Sequence, residues 1–162
     1  MTKRHLSDSD VQCNIEKYIF DEIKEKLLCE NLQSNVILPL SEENDIRICP
    51  DFYSEKDHII GEIHTHLDRL KPAQLHKIEG DILKMLLFEK GQKGVKYTKM
   101  IVVCDMQEYV QLQGKSFVAE AIRQFGIILE HIPLKVEQII QLKNAMKNQN
   151  LYGSHNTGTQ KM

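Results

Sequence analysis

The chain has 162 residues, of which 41% are hydrophobic and 27% charged, and this composition is typical of one ordinary globular domain. Its 21 Lys and Arg residues against 23 Asp and Glu residues give a formal net charge of -2, which excludes a strongly basic whole domain. Any nucleic-acid role must therefore rest on a local site. The four cysteines show no CxxC pair or zinc-finger spacing, and neither a signal sequence nor an 18-residue apolar run occurs. We therefore expect a cytoplasmic protein with reduced thiols and no membrane span.

The first part of the chain predicts one helix followed by three short strands. Apolar residues recur with helical period over about residues 10–31, after several N-cap candidates. Three β-rich segments separated by polar turns then predict an antiparallel meander at residues 35–40, 46–53 and 58–66. Because proline removes a ladder donor, Pro50 should lie at a strand end, a bulge or an edge. We therefore expect Asp51 to lie where a strand bends.

The rest of the chain alternates helices and strands. The pattern predicts helices at 73–90, 115–125 and 136–148 and strands at 99–105 and 127–134. The continuous apolar run in the strand at 99–105 favours a central position in the sheet. The order α-β-β-β-α-β-α-β-α predicts an α/β fold with a mixed central sheet, formed by a single domain at residues 1–148. Residues 149–162 have the composition of a mobile tail.

The segment from Pro50 to His66 is the most informative for chemistry. Strand alternation places Glu62 and His64 on one face, and an antiparallel partner strand can bring Asp51 close to Glu62. Two carboxylates with a nitrogen base nearby suit Mg²⁺, which prefers oxygen ligands and keeps several waters. The residues alone support a purely structural interpretation equally well. In that interpretation Asp51 is a turn residue and Glu62 is a salt-bridged strand residue.

Pro50-Asp51, ten intervening residues and then Glu62-Ile63-His64 resemble the signature of the PD-(D/E)xK nuclease superfamily. The resemblance covers most of the chain, because the restriction-endonuclease-like fold has a similar order of elements. It implies that Asp51 and Glu62 hold a divalent metal, Mg²⁺ or Mn²⁺, in an endonuclease that hydrolyses phosphodiester bonds of DNA. It also allows a homodimer, in which two sites would address two strands.

His64 stands where the superfamily motif has lysine. Histidine has an unperturbed pKa of about 6.5, so it would act as a base or metal ligand rather than as a fixed cation. Alternatively, a lysine can reach the site from the following helix, where Lys71, Lys77 and Lys84 are candidates. The resemblance also implies a glutamine or lysine on this helix that faces the site and positions the phosphate, and by it we assign this role to Gln74 and Lys77.

Other interpretations of the segment remain open. The domain can be catalytically silent and bind only nucleic acid or protein. His64 and His66 also resemble the HxH of zinc-dependent JAMM-type isopeptidases, although Leu67 replaces the proline of that pattern. No serine lies among the fourteen residues that separate His66 from Asp81, which disfavours the isopeptidase. Glu22, on the first helix, is a candidate extra carboxylate but more typical of a solvated helix face.

Overall fold

A computed structural model of the chain describes residues 8–43 and 45–153. Within these ranges, the protein has five helices, α1 to α5, and six strands, β1 to β6. The helices are α1 (Asp8–Lys26), α2 (Pro72–Gly91), α3 (Met106–Leu112), α4 (Phe117–Gln124) and α5 (Val136–Gly153). The strands are β1 (Leu38–Pro39), β2 (Arg47–Ile48), β3 (Phe52–Ser54), β4 (Ile59–His64), β5 (Thr98–Val103) and β6 (Ile128–His131).

The main sheet has four strands in the order β3-β4-β5-β6. Strand β3 pairs antiparallel with β4, whereas β4, β5 and β6 run parallel. One face packs against α1 and α5 through residues such as Ile63 and Val102, and the other against α2 and α4 through Ile60 and Ile101. Burial on both faces explains why β5 is a continuous apolar run, and its predicted central position is confirmed.

The predicted three-strand meander is wrong in one respect. The segment 46–53 does not form one strand but divides into β2 and β3 on either side of Pro50. Strand β2 pairs with β1 in a separate two-stranded antiparallel sheet, so only β3 and β4 of the meander belong to the main sheet. Proline lacks the N–H that a continuous ladder needs, which accounts for the break immediately before Asp51.

The helices follow the predicted order with three differences. Helix α1 ends at Lys26 rather than near residue 31, and Leu28 beyond it has a positive φ of 50°. Helix α3 was not predicted; its N-cap is Asp105, which accepts hydrogen bonds from the backbone N–H groups of Gln107 and Glu108. Helix α5 continues to Gly153, so the predicted tail begins as helix, and residues 154–162 lie outside the described residues.

Among the described residues, no helix combines the length and hydropathy needed to span a bilayer. All four cysteines are free in this structure.

Gly61 fixes how β3 lies on β4. Its partner in the antiparallel register is Phe52, which is fully buried. A Cβ at position 61 would lie 2.1 Å from Cζ of the Phe52 ring, so a side chain there would displace the ring. The absence of that side chain lets the ring cover the strand and holds the register on which the neighbouring carboxylates depend.

Candidate functional site

Asp51 and Glu62 come together where β3 begins. Phe52 is paired with Gly61, and one step further along the antiparallel pair Asp51 comes opposite Glu62. The backbone N–H of Ile63 donates a hydrogen bond to Asp51 Oδ2 at 2.7 Å, which fixes the Asp51 side chain against β4. The structure therefore brings together the two carboxylates that the sequence predicted as metal ligands.

Glu62 is buried and lies against a lysine from α2. Only 4% of the residue is exposed, and Lys84 Nζ lies 2.7 Å from Glu62 Oε1. The same Nζ lies 3.1 Å from Oδ1 of Asp81, one helical turn earlier on α2. Lys84 thus bridges a carboxylate of the sheet and a carboxylate of the helix that covers it.

The charged groups of this cluster change one another's pKa values. Burial, followed by the charge of Asp51, raises the pKa of Glu62 to about 8, against the opposing effect of Lys84. Burial alone would lower the pKa of Lys84, but Glu62 and Asp81 outweigh it, so the pKa is raised. For Asp81, burial is outweighed by its contacts with His64 and Lys84, so the pKa is lowered. Lys84 therefore stays charged, while Glu62 exchanges its proton near neutral pH.

His64 contacts the helix-borne carboxylate. Its Nε2 lies 3.2 Å from Asp81 Oδ2, and only 4% of its side chain is exposed. The resemblance predicts a lysine at the position of His64, yet the lysine that contacts Glu62 is Lys84. His64 thus reaches that lysine only indirectly, through Asp81.

Gln74 and Lys77, the residues assigned by resemblance, lie farther toward the start of α2. Gln74 Oε1 accepts a hydrogen bond from the backbone N–H of Lys71 at 2.8 Å, and Lys77 is exposed. Both line a cavity that also includes His64. Sequence reasoning named Lys84 only as one of three candidates.

Asp81 was missed as a site residue, although the sequence carried a signal for it. Lys77, Asp81 and Lys84 follow one another at spacings of four and three residues, which places them on one stripe of a helix. A buried strand carboxylate opposite such a stripe predicts an ion pair. The signal was hard to use because the face of α2 that covers the sheet depends on the tertiary packing.

A further carboxylate comes from α1, but it is Glu16 rather than Glu22. Burial, followed by the charge of Asp51, raises the pKa of Glu16, while Gln12 and Lys77 lower it. Gln12 Nε2 donates a hydrogen bond to Glu16 Oε1 at 3.2 Å. Glu22 is exposed, as expected for a solvated helix face. Glu16 thus extends the acidic group formed by Asp51 and Glu62.

The donor set fits a magnesium ion better than a zinc ion. The described residues contain no group of three or more His, Cys, Asp or Glu placed to hold a metal. Two carboxylates suffice for Mg²⁺, which retains several waters, whereas zinc takes three or four protein ligands. Glu62 Oε1 is buried and lies 2.7 Å from Lys84 Nζ, so a metal ion held by that oxygen would have to share it with the ammonium group or displace that group.

Comparison with family models, with curated proteins and with solved structures finds no match to this chain. The features that bear on function are therefore those of the site itself. They are two adjoining carboxylates at a strand pair and a buried lysine against one of them.

Proposed function

We propose that this protein is a divalent-metal-dependent nuclease of the restriction-endonuclease-like fold that hydrolyses phosphodiester bonds of DNA. Asp51 and Glu62 hold Mg²⁺ or Mn²⁺, and Lys84 provides the cation that the motif lysine provides in the PD-(D/E)xK superfamily. The observation that carries the proposal is the contact of Lys84 Nζ with Glu62 Oε1 at 2.7 Å. A cation stands beside the second motif carboxylate although the motif itself has histidine.

The arrangement of elements supports the same proposal. A helix, an antiparallel strand pair carrying the carboxylates, a covering helix and a parallel strand follow one another as α1, β3, β4, α2 and β5. The resemblance implies a helix, a three-strand meander that carries the motif, a helix and a strand. The structure matches this order except that β1 and β2 form a separate sheet, so only β3 and β4 of the meander belong to the main sheet.

Each side chain of the site has a defined task in this proposal. When bound, the metal ion would polarise the phosphodiester and lower the pKa of a bound water. Lys84 stabilises negative charge that develops on the phosphate, and Asp81 holds its ammonium group in place from the same helix. His64 braces Asp81 from the strand, and the Ile63 N–H orients Asp51. The positions of these groups are thus fixed before a substrate arrives.

A catalytically silent nucleic-acid-binding domain of the same fold is the second candidate. It is favoured by the ion pair itself, because Lys84 occupies the Glu62 oxygen that a metal would need. The isopeptidase alternative has less support, since His64 Nε2 faces Asp81 and the described residues hold no three-ligand group.

The test is cleavage of supercoiled plasmid and of single-stranded DNA in the presence of Mg²⁺ or Mn²⁺. The native chain, Glu62→Gln, Lys84→Met and the control Lys90→Met are purified identically, with thermal melting to establish that each is folded. We expect metal-dependent cutting by the native chain and by Lys90→Met, which changes an exposed lysine of the same helix. Glu62→Gln and Lys84→Met should lose it.

A native chain that cuts with neither metal, or a folded Glu62→Gln that cuts as well as the native chain, would overturn the nuclease proposal. Binding of DNA without cutting would then favour the silent domain. Asp51→Asn gives an independent check of the proposed metal site, because it changes the other proposed ligand, whose side chain is half-buried at the start of β3.

A further inference from the structure

A cavity of about 300 Å³ is lined by residues of α1, the end of β4, the first turns of α2, and α5. One wall is polar and is formed by Gln12, His64, Thr65, His66, Lys71, Gln74 and Lys77. The apolar wall consists of Leu142, Ala145 and Met146 of α5. The cavity therefore combines cations and imidazoles with a hydrophobic surface.

The charge of this cavity contrasts with that of its neighbour. Its lining residues include two lysines and no carboxylate, although the chain as a whole has a net charge of -2. A second recess against α1 contains three carboxylates, Glu16, Asp21 and Asp51, and one lysine, Lys17. The hydrogen bond from Gln12 to Glu16 joins a lining residue of the first recess to one of the second. An anionic ligand in the first recess would thus lie next to the recess that contains Asp51.

His66 lines the same cavity, although its Nδ1 is not itself exposed to it. Its Nδ1 is buried and has no hydrogen-bond partner within the described part of the chain. Burial, with a smaller contribution from Lys71, outweighs the nearby aspartates and lowers the pKa of His66. The ring is therefore neutral at neutral pH and can donate or accept a hydrogen bond. A buried polar atom without a partner is costly unless a ligand or water satisfies it.

We propose that this cavity binds one unpaired nucleotide of a single-stranded nucleic acid. Lys71 and Lys77 contact its phosphate, and the base packs on the apolar wall of α5 with His66 at its polar edge. This inference rests on the proposed function and names its substrate class. The volume lies at the lower limit of small-ligand sites, which suits a single nucleotide. A paired base would have to leave its stack to enter, so the cavity favours single strands over duplex.

The test is fluorescence anisotropy with the full chain in EDTA, where metal-dependent cutting cannot occur. The probes are a labelled 12-nucleotide single strand of DNA, the same strand as a duplex and a single strand of RNA. We expect either single strand to bind roughly tenfold more tightly than the duplex, because no unstacking is needed.

Variants then locate the binding. Lys71→Ala combined with Lys77→Ala should weaken single-strand binding roughly tenfold at low salt and flatten its dependence on salt. Lys90→Ala combined with Lys143→Ala removes the same charge from exposed positions outside the cavity and should bind like the native chain. Met146→Ser removes apolar contact from a half-buried position and should weaken binding several-fold without altering the salt dependence.

Duplex bound as tightly as single strand, or a folded double variant at Lys71 and Lys77 that binds like the native chain, would overturn the inference. If cutting that depends on Glu62 persists in that case, the proposed nuclease stands without this substrate site. If single strands bind as expected but neither metal supports cutting, the cavity is supported and the nuclease proposal fails.

Discussion

Two buried glutamates have the same raised pKa of about 8 in very different surroundings. Glu62 lies in the main sheet with Lys84 at 2.7 Å, and Asp51 and Asp81 add negative charge. Glu108, at the start of α3, is fully buried, and neither of its carboxylate oxygens has a hydrogen-bond partner among the described residues. Burial is the largest cause for both.

The difference shows that a raised pKa alone does not identify a functional carboxylate. Glu62 belongs to a network with the Lys84 cation, and under the proposed function a metal ion would replace its proton. The carboxyl group of Glu108 makes no ion pair or hydrogen bond among the described residues, and the charge of Lys77 only partly opposes the effect of burial, so its raised pKa keeps it neutral at neutral pH. We therefore expect opposite effects on stability from replacing the Glu108 carboxyl group by an amide and from removing the Lys84 ammonium group beside Glu62.

The largest expected effect is a gain of stability in Glu108→Gln at high pH. Folding raises the pKa of Glu108 from the ordinary value of 4.5 to about 8, so the folded chain binds this proton more tightly than the unfolded chain. The resulting contribution to the free energy of unfolding is complete below pH 4.5. That contribution disappears as the pH rises through about 8. Glutamine stays neutral, so we expect about 3 kcal/mol more stability than the native chain at pH 9 and little change at pH 5. Urea unfolding at both pH values measures this, and equal effects at both would contradict it.

Lys84→Met should act in the opposite direction, with a loss of about 2 kcal/mol at pH 8, because Glu62 and Asp81 lose their cation. Glu62 then takes up a proton more readily, so the loss should be smaller at pH 6. Lys90→Met, on the same helix but exposed, is the control in urea unfolding. A variant at Lys84 as stable as this control would show that the pair contributes nothing.

Metal binding should be coupled to proton release at Glu62 and not at Glu108. Because the pKa of Glu62 is about 8, Mg²⁺ must displace a proton at neutral pH. Affinity should rise up to about tenfold for each pH unit between 6 and 8 and level off above. Calorimetry in two buffers of different ionisation enthalpy measures the protons released. Glu108→Gln should show the same coupling as the native chain; Glu62→Gln should show none.

The smallest expected effect concerns an exposed ion pair. Lys26 of α1 contacts Glu130 of β6, and the lysine side chain is 54% exposed. Solvent and salt screen such a pair, so Lys26→Ala should change the free energy of unfolding by less than about 0.5 kcal/mol. Thermal melting at low and high salt checks this. A loss as large as that of Lys84→Met would mean that exposure does not explain the contrast.

The sequence predicted those parts that depend on local pattern. Strand alternation and the spacing of Asp51 and Glu62 were enough to place the two carboxylates together, and the apolar run of β5 indicated a central strand. The break at Pro50 was anticipated as a bend, but its consequence, a separate sheet of β1 and β2, depends on which strands find partners. Local pattern does not specify that choice.

The helix contribution was harder to predict for a physical reason. Gln74, Lys77 and Lys84 all lie on α2, and which of them reaches Glu62 depends on where the helix crosses the sheet. That crossing is set by the packing of Ile78, Ile82 and Met85 against the sheet, which no local pattern specifies. Glu108 was missed because α3 is a seven-residue helix, too short to show a clear period.

The close approach of the Phe52 ring to Gly61 has a consequence for the descent of this protein. The ring and the missing side chain share one volume, so neither position can change freely while the other stays fixed. In any set of related chains we expect the two positions to covary, with a larger residue at 61 accompanied by a smaller one at 52. Phe52 directly follows Asp51 and Gly61 directly precedes Glu62. Such paired exchanges would therefore preserve the alignment of the two carboxylates while the surrounding sequence diverges.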